Sequence, residues 1–488
     1  MSASTPAEFD VVVVGAGISG IAAAHYLQRE CPERSFVVLE GRDAIGGTWD
    51  LFRYPGIRSD SDMFTLGFTF RPWTSDASIA EGAAIRDYIR ETAREEGLLP
   101  RIRFGHRVNA AHWDSRRARW EVQVAAGGEP QRFLCRFLFF CSGYYDYQKG
   151  HEPGWPGRES FAGRIVHPQH WPEDLDCAGK RIVVIGSGAT AITLIPSLVR
   201  QAAHVTMLQR SPSYIMALPG RDAIGRTLQR VLPRKLAYRL IRWKNILLST
   251  AFFQFSRRRP QAVRRFLVDQ ARKRSGVEEK HLQPRYDPWD QRLCIAPDAD
   301  VFRALRSGKA SIVTDQIERF TPQGLLLASG EELTADIVIT ATGLKLQMLG
   351  GAQITVDGRP LRSADTLSYK GMMLSGVPNF ALSMGYTNAS WTLKCELIAR
   401  RVCRILNHMR ARGLDVVMPV QEGDVGATRP ALDLSSGYIQ RGSDQLPRQG
   451  SRTPWRIHQN YLLDLFVMKL SPLRDGALRF ARAGEPLR

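Results

Sequence analysis

Apolar residues gather in short, near-continuous runs along this chain, and two of them end in a glycine turn followed by a helical pattern. The first run, Phe9 to Val14 (FDVVVV), ends in Gly15-Ala16-Gly17-Ile18-Ser19-Gly20, and helical spacing continues through Ala22–Leu27. A second run, Phe36–Leu39, stops at Glu40. Runs without polar alternation read as strands covered on both faces, the habit of a parallel sheet between helices. The same order returns at Arg181–Ile185 (RIVVI), then Gly186-Ser187-Gly188-Ala189-Thr190-Ala191, then a strand at His204–Leu208. Phe137–Gly143 (FLFFCSG) and Asp336–Gly343 (DIVITATG) are two further apolar runs closed by glycine.

This order predicts an α/β fold with two Rossmann-type dinucleotide-binding domains. In such a turn, glycines let backbone N–H groups and a helix N-terminus approach a pyrophosphate. Gly15, Gly17 and Gly20 fill the turn of the first unit, and Glu40 is placed to accept ribose hydroxyls. Gly186, Gly188, Thr190 and Ala191 belong to the second turn. Its second strand leads to Gln209-Arg210-Ser211 with no carboxylate, so Arg210 offers a guanidinium to a 2′-phosphate. That favours NADPH over NADH; a plain surface arginine is the alternative.

The chain's 488 residues suffice for two or three domains, with 44% apolar and 24% charged residues. Its seven cysteines show no C-x-x-C, which favours reduced thiols and gives no metal or redox-dithiol motif. MSASTPAEFD lacks a secretory pattern and no apolar run approaches a membrane span, so a cytoplasmic enzyme is expected. The net charge of +19 is uneven. Between Arg221 and Arg274, sixteen Lys or Arg face only Asp222 and Asp269, with Trp243, Phe252, Phe253 and Phe255 interleaved. Three readings stand: a solvated helical subdomain, peripheral contact of 221–274 with anionic membrane, or nucleic acid binding, which no recognised module supports.

Phe161 to Pro172 (FAGRIVHPQHWP) fits F-x-G-x-x-x-H-x-x-x-W-P. Flanked by two nucleotide turns, it resembles the flavin-dependent Baeyer–Villiger monooxygenases. Gly46 to Asp60 (GGTWDLFRYPGIRSD) resembles that family's longer fingerprint, which lines the flavin and includes Gly47, Thr48 and Trp49. The resemblance makes Asp60 the partner of a catalytic arginine, with Asp62 a near neighbour. Tyr286 to Cys294 (YDPWDQRLC) puts Arg292 in the arginine position, although Gln291 stands where many members have lysine. A structural Arg–Asp pair between domains is the alternative. His167 matches a linker histidine that coordinates domain movement, with general-base chemistry the rival role. DIVITATG, ending at Gly343, resembles the late ATG motif of two-dinucleotide flavoproteins.

The resemblance therefore implies FAD and NADPH as cofactors and a discontinuous FAD domain. Its parts would be residues 1–145 and 330–488, with an NADPH domain at 146–329 carrying a basic helical insertion near 221–285. The implied reaction inserts one oxygen of O2 into a ketone through a flavin C4a-peroxide, whose anion an arginine stabilises. Strings such as GYTNASWTLK and QGSRTPWR look like the ethionamide-activating branch, which also oxidises sulfides and thioamides. Trp391 and Trp455 in those strings are candidates for a cavity wall or for the core. A heteroatom-oxidising flavin monooxygenase is the nearest rival. A membrane-associated, redox-responsive flavoprotein module is the remote one.

Overall fold

The computed structural model describes residues 6–487; the leader-free reading of the N-terminus falls partly outside them. Valine fills the last four positions of the strand Ala7–Val14, and all four are buried because both faces are covered. Val11 and Val13 share a core with the helix Ile18–Glu30, while Val12 and Val14 pack with Trp113 and Trp120. Burying each valine contributes about 1.5–3 kcal/mol. The strand pairs in parallel with Phe36–Leu39 on one side and Glu129–Phe140 on the other. Successive strands thus leave in opposite directions from Ala7–Val14, and a crevice opens at its carboxyl end, beside Gly15. Phe380–Leu382 joins this sheet in parallel with Glu129–Phe140.

The second sheet has five parallel strands in the order Ala310–Thr314, His204–Gln209, Arg181–Ile185, Ile337–Thr340, Arg164–Val166. Its crevice opens beside Gly186, at the carboxyl end of Arg181–Ile185. The strand Ile337–Thr340 lies inside this sheet, Val338 facing both Val183 and Ile165. A boundary at 329/330 would give that strand to the first unit; backbone pairing instead carries the second sheet to Thr340. Four apolar residues in a row suit the interior of either sheet, so the local pattern does not choose between them.

Three helices, Ala223–Val231, Arg234–Arg258 and Pro260–Ser275, form the basic excursion. The long middle helix is tied to the first unit. Arg242 donates to the carbonyls of Phe64 (2.8 Å) and Gly67 (2.7 Å) and pairs with Glu396 (3.1 Å). All seven cysteines are buried and free. Among the described residues no helix is long and apolar enough to cross a membrane.

Candidate active site

Gly17 precedes the helix Ile18–Glu30 with no side chain capping its N-terminus, leaving amide donors aimed into the first crevice. Gly15 is held at φ +103, where an added Cβ would meet the Cys141 carbonyl at 2.8 Å. Glu40 stands at the rim and accepts from the Ala16 amide (2.6 Å) and the Arg42 amide (2.9 Å). Burial raises the pKa of its carboxyl, against the pull of those two amides. Gly15, Gly17, Glu40 and Gly47 line a cavity of about 160 Å³ that fits a dinucleotide pyrophosphate and ribose. Gly20 has a different task. It lies outside the cavity wall, and a Cβ there would sit 1.8 Å from the Gly15 carbonyl, so glycine permits close helix–strand packing.

The second crevice is larger, about 640 Å³, and Gly186, Gly188, Thr190, Arg210 and Gly343 line it. Gly188 supplies a direct test of fit. Its φ of −79 suits any residue, and an added Cβ would meet nothing within 4 Å. Nothing in the protein demands glycine there; a phosphate group approaching the helix N-terminus would. Ala191 is fully buried in the core and faces no cavity, so it serves packing as Gly20 does. Arg210 and Arg441 share the rim. Burial, then the like charge of Arg210, lowers the pKa of Arg441, so the rim is electropositive and suited to a 2′-phosphate. Arg441 carries no local motif and was invisible in the sequence; Gln291 lines the same cavity.

A third cavity of about 280 Å³ joins the two cradles, reaching from Gly47, Thr48 and Trp49 to Ala189 and Thr190. At this junction Arg292 Nε lies 2.8 Å from Asp60 Oδ2, with side chains 37% and 21% exposed. The pair is therefore accessible from the cavity. Burial is the largest influence and works against the Arg292 charge, but the Asp60 carboxylate together with Tyr144, Tyr438 and Cys294 around it leaves the guanidinium pKa raised. Asp62 is not the partner: it caps the helix Met63–Leu66 and accepts from Asn245 at 2.8 Å. Tyr144 and Trp391 stack at 5.4 Å on the cavity wall, and the Trp391 indole donates to Ser19. The Tyr145 hydroxyl donates to Thr48. Trp455 instead packs in the core against Tyr369. The run Gly143-Tyr144-Tyr145-Asp146-Tyr147 after an exit strand was the available signal for these wall tyrosines.

His167 stands outside the three cavities, at the end of Arg164–Val166. Its Nδ1 accepts from the Gln169 amide at 3.2 Å, and burial lowers its pKa against the Glu152 carboxylate. Its side chain lines none of the three cavities. Among the described residues, no group of three or more His, Cys, Asp or Glu is arranged to hold a metal.

Two glycine cradles meeting at a cavity-facing Arg–Asp pair define a two-dinucleotide-binding flavoprotein. A profile described as "Flavin-binding monooxygenase-like" matches residues 72–347, and one described as "NAD(P)-binding Rossmann-like domain" matches 13–76. The chain is 54% identical to the FAD-containing monooxygenase EthA of Mycolicibacterium smegmatis over 97% of both chains. It is 52% identical to EthA of Mycobacterium tuberculosis, covering 98% of this chain and 99% of that one. It shares its fold with an oxidized steroid monooxygenase bound to NADP (TM-score 0.76, 21% identity, 97% and 100% of the two chains covered). Cyclohexanone monooxygenase has the same fold (TM-score 0.73, 21% identity, 85% and 90% covered). The chain belongs to the flavin-binding monooxygenase-like family, among the EthA-type FAD-containing monooxygenases. It is an enzyme whose cofactors are FAD and NADPH and whose substrates are small molecules with O2.

Proposed function

We propose that this enzyme carries out Baeyer–Villiger oxidation: ketone, O2, NADPH and a proton give an ester or lactone, NADP⁺ and water. Sulfides and thioamides are further substrates, taking the oxygen at sulfur. The observation that carries this reading is the 2.8 Å Arg292–Asp60 pair where the two nucleotide cavities meet. Bound FAD supplies hydride acceptance from NADPH and the activation of O2.

The chain's own residues bind, orient and exclude water. Gly15, Gly17 and Gly47 admit the FAD pyrophosphate, and Glu40 accepts the ribose hydroxyls. Gly186 to Thr190 receive the NADPH pyrophosphate, with Arg210 and Arg441 on the 2′-phosphate. Arg292 would hold a fixed positive charge at the junction, where bound FAD and NADPH would bring the reacting oxygen, and such a preorganised charge stabilises a developing anion. Asp60 fixes the guanidinium's orientation. Tyr144 and Trp391 close the wall against water. Residues up to about 145 and those beyond Thr340 make the FAD domain, with the NADPH domain between them.

Mass spectrometry of products tests the reading. Holoenzyme with NADPH and O2 is given aliphatic ketones, aryl ketones and a thioether. An ester one oxygen heavier than its ketone is the expected product. Sulfoxide without any ester would assign the enzyme to the heteroatom oxidisers instead.

A further inference from the structure

Exposed large apolar side chains are concentrated rather than scattered. Of the sixteen among the described residues, fourteen fall within Leu218–Phe266 and Leu462–Leu470. Single exposed leucines are ordinary, whereas a contiguous group marks an interaction surface.

The helix Arg234–Arg258 has two faces. Tyr238, Ile241 and Arg242 hold its inner face to the first unit. Leu236, Leu240, Trp243 and Leu247, spaced four, three and four apart, form an outward stripe and are 37–51% exposed. At 1.5 Å per residue the stripe runs about 16 Å. Phe252 and Phe253 turn inward onto Trp289 and take no part.

A second helix extends the stripe. The Trp243 ring lies 6.2 Å from that of Tyr461, the first residue of Tyr461–Lys469. A buried pair, Lys394 Nζ to Asp464 Oδ2 at 2.6 Å, fixes the inner side of this helix, and the Tyr386 hydroxyl donates to the same carboxylate. Its opposite side leaves Phe466 63% exposed, with Leu470 just beyond it 64% exposed.

Cations frame this apolar surface. Arg242, Lys244, Arg257 and Arg272 have acidic partners. Arg230, Arg234, Lys235, Arg239 and Arg258 are exposed, and no carboxylate lies within 4 Å of them among the described residues. Charge selects the occupant. A second copy would bring like charge onto like charge, and nucleic acid would leave the leucines in water. An anionic bilayer satisfies both the cations and the apolar stripe, and the rim tryptophan suits the headgroup level.

We infer that the helices Arg234–Arg258 and Tyr461–Lys469 dock this enzyme on anionic phospholipid membrane, lying in the interface without crossing it. Docking does not depend on the chemistry assigned to Arg292. It does place the membrane close to that site, because Asn245 on the docking helix donates to Asp62, two residues from Asp60.

Vesicle flotation of the FAD-loaded enzyme tests the inference, with phosphatidylcholine vesicles that contain or lack phosphatidylglycerol. The enzyme floats with the anionic vesicles, and the bound fraction falls as salt rises from about 0.1 to about 1 M. The double variant Leu247→Glu, Phe466→Glu loses about tenfold in binding while keeping its FAD and its rate of NADPH oxidation. Failure of the wild type to float on anionic vesicles would overturn the inference. So would undiminished flotation of the double variant. Sedimentation showing a dimer that this variant splits, with no vesicle binding, would assign the surface to a second copy.

Discussion

Gly20 and Gly188 both belong to nucleotide turns, yet the fold itself requires glycine only at the first. At Gly20 an added methyl meets the Gly15 carbonyl at 1.8 Å. Gly20→Ala is expected to cost about 1–3 kcal/mol or more in stability, read as a lower Tm and loss of FAD on gel filtration. Gly188→Ala meets no protein atom within 4 Å. That variant should melt like the wild type while its KM for NADPH rises about tenfold, since the methyl occupies the phosphate's place. An unchanged KM would remove Gly188 from the cradle. Much at this scale was legible because glycine turns are local in sequence. Asp60 and Arg292 are 232 positions apart, and only the resemblance of their two strings joined them. Arg441 belongs to no string, and only folding brings it to the rim beside Arg210. Trp391 and Trp455 looked alike in sequence, and packing alone sent one to the cavity and the other to the core.

At the scale of elements, the segment around His167 links strand Arg164–Val166 to the central strand of the second sheet. Burial lowers the pKa of His167, so the folded protein resists a proton that the unfolded chain accepts. The stability it contributes is complete above the ordinary imidazole value of about 6.5 and is lost as pH falls from there through the folded pKa. Melting curves should therefore show a smaller drop in Tm from about pH 7.5 to about pH 5.5 in His167→Gln than in the wild type. Identical drops would mean that His167 is not held neutral. The strands beside the glycine turns were legible because period and punctuation agreed there. Ile337–Thr340 was legible as a strand, but its sheet was not, since pairing partners lie far away in sequence. The basic helices were legible as helices. Which of their aromatic residues face outward depends on Trp289, which covers Phe252 and Phe253.

Across the whole molecule, the NADPH rim and the junction cavity are assembled from distant parts of the chain. Arg210 follows the second sheet's strand His204–Gln209, whereas Arg441 comes from the C-terminal region. Replacing Arg210 by alanine should lower kcat/KM for NADPH by about 10–100-fold and barely change that for NADH, because only NADPH carries the 2′-phosphate. Equal loss with both nucleotides would move the 2′-phosphate elsewhere. The most direct test of the account is Arg292→Ala, with NADPH consumption, hydrogen peroxide and ester followed in one reaction. Loss of a preorganised charge of this kind costs about 10²–10³ in rate. If Arg292 has the role assigned to it, NADPH consumption continues, reducing equivalents are recovered as hydrogen peroxide, and ester falls by at least about 10²-fold. Ester formation near the wild-type rate would contradict it.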